Sequence, residues 1–109
     1  MRTYNYEQFW YALKDWSIKT FGPHTFRGPR GPILHLKKEV DEVIEALDND
    51  SEEIIIEEMV DCLFLITDAV QRSGVNYEVF MDAVFRKLDK NKERKWGKMT
   101  PDKPTEHIR

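Results

Sequence analysis

The chain has 109 residues, enough for one domain around one hydrophobic core, and its 40% hydrophobic and 34% charged content is globular rather than disordered. The single cysteine, Cys62, excludes an intramolecular disulfide and fits a reducing compartment. A net charge of −3 argues against bulk nucleic-acid binding, and no apolar run approaches the ~20 residues of a membrane span. The N-terminal MRTYNYEQ has no signal-peptide pattern, so a cytoplasmic protein is expected.

Four helices and no strand are predicted in chain order. The first runs from about Tyr6 to Phe21, with Phe9, Leu13 and Trp16 at helical spacing, and Gly22-Pro23 ends it. Residues 22 to 32, GPHTFRGPRGP, form a loop carrying Arg27 and Arg30. The second helix starts after Pro32 and reaches about Leu47, with Leu36, Val40, Val43, Ile44 and Leu47 as its apolar stripe. The turn DNDS, residues 48 to 51, supplies the N-cap of the third helix, which ends at Ser73-Gly74. Asn76 can cap the fourth, which turns Phe80, Val84 and Leu88 inward and runs to about Trp96. The tail GKMTPDKPTEHIR reads as irregular. Short connections favour a compact antiparallel bundle of one domain, residues 1 to 109. The third helix is apolar around nearly its whole circumference, more than one small bundle buries, so a homo-oligomer, dimer or tetramer, is expected.

Charge is segregated along the chain. From Glu39 to Asp61 there are eleven acids and no Lys or Arg, whereas Arg86 to Lys98 holds seven bases against two acids. Glu39 and Glu42, three residues apart on the second helix, lie about 60° apart, and Glu58 and Asp61 repeat that spacing on the third. Glu58 and Asp61 share their face with Ile54, Cys62, Leu65 and Ala69, a core-facing set. Four such carboxylates cannot all stay ionised without a cation, and oxygen-only ligands favour Mg²⁺ or Mn²⁺ over zinc. Asp41, Glu45, Glu52 and Glu53 read as a solvated face. Glu57 and Asp68 point to the rim, where they could support the ligands or bind an extra ion.

The pattern Glu39-x-x-Glu42, fifteen residues, then Glu58-x-x-Asp61 resembles the metal motif of the MazG-like all-α nucleoside triphosphate pyrophosphohydrolases. GPILHLKKEVDEVIEAL, EEMVDCLFLITDAVQRSG, KLDKNKERKWG and DKPTEHIR extend the likeness to the small phage and bacterial dATP/dGTP diphosphohydrolases of the MazZ group. Lys38 departs from the broader pattern, in which an extra Glu often precedes the first ligand. The resemblance implies a four-helix oligomeric bundle in which Glu39, Glu42, Glu58 and Asp61 hold two or three ions. The implied substrates are dGTP and dATP, cleaved to monophosphate and pyrophosphate, in a setting that includes phages with 2-aminoadenine DNA. Lys87, Asn91 and Arg94, at i, i+4 and i+7 on the fourth helix, are then the expected phosphate ligands, while Lys90, Lys92 and Lys95 merely suit a helix C-terminus.

Among the aromatics, Trp96 beside this basic line is the expected base-stacking group, whereas Trp10, Trp16 and Phe26 read as core or loop packing. His24, His35 and His107 lack metal-ligand spacing, and His35 is expected to be hydrogen-bonded near the site. Cys62 reads as a small buried hydrophobe. No GxGxxG or GxxxxGKS loop exists, which excludes Rossmann and P-loop chemistry. A pyrophosphohydrolase for pyrimidine or damaged nucleotides would use the same metal motif. A di-iron bundle would need Glu-x-x-His pairs that are absent here, and a non-enzymatic oligomerisation module would leave the inward acids without purpose.

Overall fold

The computed structural model describes residues 3–24 and 27–108, so Phe26 lies outside the described residues. It has four α-helices: α1 (Tyr6–Phe21), α2 (Arg30–Asn49), α3 (Glu52–Arg72) and α4 (Tyr77–Glu93). Two short strands follow, β1 (Lys95–Trp96) and β2 (His107–Ile108). The chain forms two compact units, Met1–Tyr77 and Glu78–Arg109. Among the described residues no helix is long and apolar enough to cross a membrane.

In the first unit each helix end has a chemical cause. A capping box starts α1: Asn5 Oδ1 accepts from the Gln8 N–H at 2.9 Å, and Gln8 Oε1 accepts from the Asn5 N–H at 3.0 Å. Gly22, at φ 99°, ends α1 in a conformation that disfavours any Cβ. Helix α2 begins at Arg30 rather than after Pro32. Pro32 falls in the first turn, where backbone N–H groups have no intrahelical partner, so its missing donor costs nothing. Only Asp50 and Ser51 separate α2 from α3, and so short a turn makes the two helices antiparallel neighbours. Ser51 caps α3, and Gly74 (φ 81°) follows its end.

Burial differs from the expected stripes. On α1 the buried side chains are Trp10, Leu13 and Ser17, while Trp16 stays 53% exposed. The α1–α3 packing is partly polar. Tyr6 Oη and Thr67 Oγ1 are 2.7 Å apart, and Gln71 Nε2 donates to the Trp10 carbonyl at 2.8 Å. Phe9 stacks on Phe64 with ring centres 5.2 Å apart, and Tyr77 meets Trp10 edge-on.

The seam between α2 and α3 follows a regular alternation of three and four residues. On α2 the inward positions are Pro32, Leu36, Glu39, Val43 and Ala46; on α3 they are Ile55, Glu58, Cys62, Leu65 and Ala69. Each helix therefore gives one seam position to a carboxylate. Val40, Ile44 and Leu47, expected on the α2 stripe, are 44%, 56% and 55% exposed instead. Ile54, expected beside Glu58, is likewise exposed.

The second unit corrects two expectations. Helix α4 stops at Glu93 rather than Trp96, and the tail is not irregular throughout. Lys95–Trp96 pairs antiparallel with His107–Ile108. The Gly97 N–H extends that pairing to the Glu106 carbonyl at 2.9 Å, and a Cβ at Gly97 would come within 3.3 Å of that oxygen. Trp96 donates its indole N–H to the Asn91 carbonyl at 2.9 Å, which holds the strand against the helix end. Val84 and Leu88, expected to point inward, remain 38% and 44% exposed, because one helix and a two-stranded ribbon cannot enclose an apolar face.

Candidate metal centre

Antiparallel pairing of α2 with α3 brings the two acidic seam positions together. One carboxylate oxygen from each of Glu39, Glu58 and Asp61 lies within 4.8 Å of the others. Glu39 and Glu58 are half-buried and Asp61 is exposed, so the trio opens from the seam toward solvent. Glu42 lies outside that trio, but its carboxyl still reaches Glu39. The sequence reading of an apolar face therefore suits Glu58 better than Asp61.

Glu39 is the most constrained of these acids. Its side chain is 13% exposed, and Oε1 lies 3.3 Å from His35 Nε2, one helical turn earlier, which places His35 beside the acids. The other oxygen, Oε2, is buried with no hydrogen-bond partner among the described residues. Burial first, and then the Glu42 and Glu58 carboxyls, push the Glu39 carboxyl above its ordinary range. Burial and the charges of Glu39, Asp61 and Glu58 likewise raise the Cys62 thiol, which keeps it neutral.

The raised Glu39 value has a consequence for stability. The folded chain holds that proton more tightly than the unfolded chain. The favourable contribution is present at low pH and is lost as pH rises from the ordinary 4.5 through the raised value. In chelator, Glu39→Gln should therefore melt above the native protein at pH 7, and the difference should close on acidification below about 4.5. Calorimetric melting curves across that range check this, and a lower melting temperature for the variant at pH 7 would contradict it.

A cavity of about 290 Å³ adjoins the carboxylates. Glu39 and His35 of α2 and Asp61 of α3 line it, together with Leu13, Trp16, Ser17 and Phe21 of α1. Phe64, Leu65 and Asp68 complete the α3 side. Trp16 and Phe21 meet edge-to-face with centres 5.5 Å apart, so the exposed Trp16 is a cavity wall rather than core packing.

Asp68, expected at the rim either to support the ligands or to bind an extra ion, pairs with Arg72, whose Nη2 lies 2.9 Å from Oδ2. Ser17 Oγ donates to Asp68 Oδ1 at 3.1 Å. Arg27 fixes Ser17 in turn. Its Nη2 reaches Ser17 Oγ at 3.3 Å and the Gly22 carbonyl at 2.9 Å, which satisfies the C-terminus of α1. Burial and then Arg27 lower the His24 value, so this nearby imidazole stays neutral. The sequence signal for the Asp68–Arg72 pair was its i, i+4 spacing. Ser17 and Arg27 carried no local signal.

In the second unit, Lys87 and Asn91 share one face of α4 with Phe80 and Val84, as their spacing predicts. Arg94 falls just past the helix end, where its Nη1 donates to Asn91 Oδ1 at 3.2 Å. Trp96 is 45% exposed and meets His107 edge-on at 5.8 Å.

No curated protein matches the chain in sequence. Among solved structures it resembles the cyanophage S-2L MazG-like pyrophosphohydrolase, described as bound to dGDP and three catalytic Mn²⁺ ions per active site. The TM-score is 0.71 at 24% identity, over 97% of this chain and 95% of that one, which establishes a shared all-α MazG-like fold. Residues 10–109 match the family model for dATP/dGTP pyrophosphohydrolase. That match runs over nearly the whole sequence and places the chain in the dATP/dGTP pyrophosphohydrolase family, within the MazG-like superfamily of nucleotide pyrophosphohydrolases.

Proposed function

We propose that the chain hydrolyses the purine deoxynucleoside triphosphates dGTP and dATP to monophosphate and pyrophosphate, with Mg²⁺ or Mn²⁺ as its cofactor. The observation that carries this reading is the convergence of the Glu39, Glu58 and Asp61 oxygens beside a cavity walled by the rings of Trp16, Phe21 and Phe64. The family match running across both units supports treating residues 1 to 109 as one functional domain.

The donor set fits a hard divalent ion. All its groups are carboxylates, and the buried Glu39 Oε2 has no hydrogen-bond partner among the described residues. Glu39, Glu42, Glu58 and Asp61 would hold two or three ions, a number supported by the three Mn²⁺ of the cyanophage neighbour. Bound ions would supply positive charge to the phosphate oxygens and make water a better nucleophile near neutral pH. Water attacks the α-phosphorus, the bond from that phosphorus to its bridging oxygen breaks, and pyrophosphate leaves. Lys87, Asn91 and Arg94 would bind phosphate oxygens through charge-assisted hydrogen bonds.

The base is assigned to Trp16 and Phe21 rather than to Trp96, because these two rings line the cavity that Glu39 and Asp61 also line. In a phage with 2-aminoadenine DNA, this reaction would supply dGMP and deplete dATP.

A second copy of the chain is proposed to cover the remaining apolar surface, as a dimer or tetramer. Ile44, Leu47 and Ile56 on α2 and α3 are each more than half exposed, and large apolar side chains left in water favour burial against a partner. A panel of the eight common NTPs and dNTPs with Mn²⁺ tests the substrate assignment. Pyrophosphate release should be fastest from dGTP and dATP, and a profile led by pyrimidine nucleotides would contradict it.

A further inference from the structure

Asp68 is the cavity carboxylate that stands beside the aromatic walls and away from the acid trio. We propose that Asp68 reads the Watson–Crick edge of the purine and makes the site favour guanine over adenine. The inference rests on the nucleotide occupying the α1–α3 cavity.

Asp61 and Asp68 are seven residues apart on α3, so they share a face and stand about 10 Å apart along the helix axis. That distance is of the order of the reach from a 5′-phosphate, across the sugar, to the far edge of a purine. Both residues line the same cavity, with the rings of Trp16, Phe21 and Phe64 also in its wall. A nucleotide with its phosphate at Asp61 and its base among these rings would present its far edge to Asp68.

An ionised carboxylate offers about four lone-pair sites and no donor. Ser17 occupies one site on Oδ1, and Arg72 occupies one on Oδ2. His24 Nε2 stands 3.9 Å from Oδ1, beyond hydrogen-bond reach, so one acceptor site per oxygen remains. Arg27 directs a donor at the Ser17 hydroxyl, leaving that hydroxyl's own proton for Asp68. Guanine presents two adjacent donors, N1–H and the 2-amino group, which match two parallel acceptors. Adenine presents a lone pair at N1 and a single donor at N6, so one Asp68 oxygen would face a lone pair. A polar group left unpaired in this way discriminates between substrates far better than a change in apolar contact.

Two measurements with the full-length protein test the assignment. In the first, only the substrate changes: native kcat/KM should fall roughly 10- to 100-fold from dGTP to dITP, which lacks the 2-amino group. Equal rates for the two would overturn the proposal without any question of folding. In the second, Asp68→Asn should lower the dGTP-to-dATP ratio of kcat/KM at least tenfold, because an amide offers one acceptor and one donor, as adenine requires. A purely structural Asp68 would lower both values together, and an unchanged ratio would overturn the proposal. If the native protein releases pyrophosphate from dGTP but the ratio does not move, this inference alone fails. If it releases none from any purine dNTP, the parent reading fails and takes this one with it.

Discussion

Glu58→Gln and Asp61→Asn should each reduce kcat by about a thousandfold or more while leaving the helical circular dichroism unchanged. Both substitutions keep the side-chain volume and remove one negative charge from a trio whose oxygens converge within 4.8 Å. Losing a ligand anion weakens metal binding, and the positive charge delivered to the phosphate falls with it. Stability should move the other way. The metal-free protein carries unrelieved repulsion among these acids, so either variant should match or exceed the native melting temperature in chelator. Cations that bind the folded state should then raise the native melting temperature more than that of the variants. Calorimetric titration with Mn²⁺ separates the two effects. Native-like turnover together with native-like Mn²⁺ affinity in either variant would remove the trio from the cation site.

Arg94→Ala should lower kcat/KM for dGTP roughly 30- to 1000-fold, the range expected when a charge-assisted contact worth about 2–4 kcal/mol in the transition state is lost. The competing account is a favourable charge near the C-terminus of α4, worth at most ~1 kcal/mol of stability and nothing in kinetics. Lys90→Ala is the control, because Lys90 is exposed in the last turn of the same helix. Substitution of Arg94 also frees Asn91 Oδ1 from its 3.2 Å contact, so Asn91→Ala should show a smaller loss of the same kind. Equal, small effects for Arg94→Ala and Lys90→Ala at fixed salt would make the α4 terminus structural.

The helices were legible because their punctuation is local. Gly22 and Gly74 close α1 and α3 at the positions that the sequence implies, and Ser51 caps α3. The paired carboxylate spacing on α2 and α3 was legible for a similar reason, since i, i+3 on a helix fixes direction before any packing is known. The burial pattern was not. Which face of α1 turns inward depends on partners sixty residues away, and the buried Ser17, Thr67 and Gln71 are polar residues whose hydrogen bonds make them suitable for the interior. Periodicity instead pointed to Trp16, which lines the cavity. Strands β1 and β2 have two residues each, too few for an alternation to register, and their pairing spans the proline-bearing tail. Pro32 lies inside α2 rather than before it, because proline breaks helix interiors and is accommodated in the first turn.

The central claim concerns which phosphorus the water attacks, and the products of dGTP turnover in ¹⁸O-labelled water test it most directly. Attack at the α-phosphorus predicts dGMP carrying one ¹⁸O atom and unlabelled pyrophosphate as the first products. Unlabelled dGDP with labelled orthophosphate would instead mean attack at the terminal phosphorus, and would contradict the account.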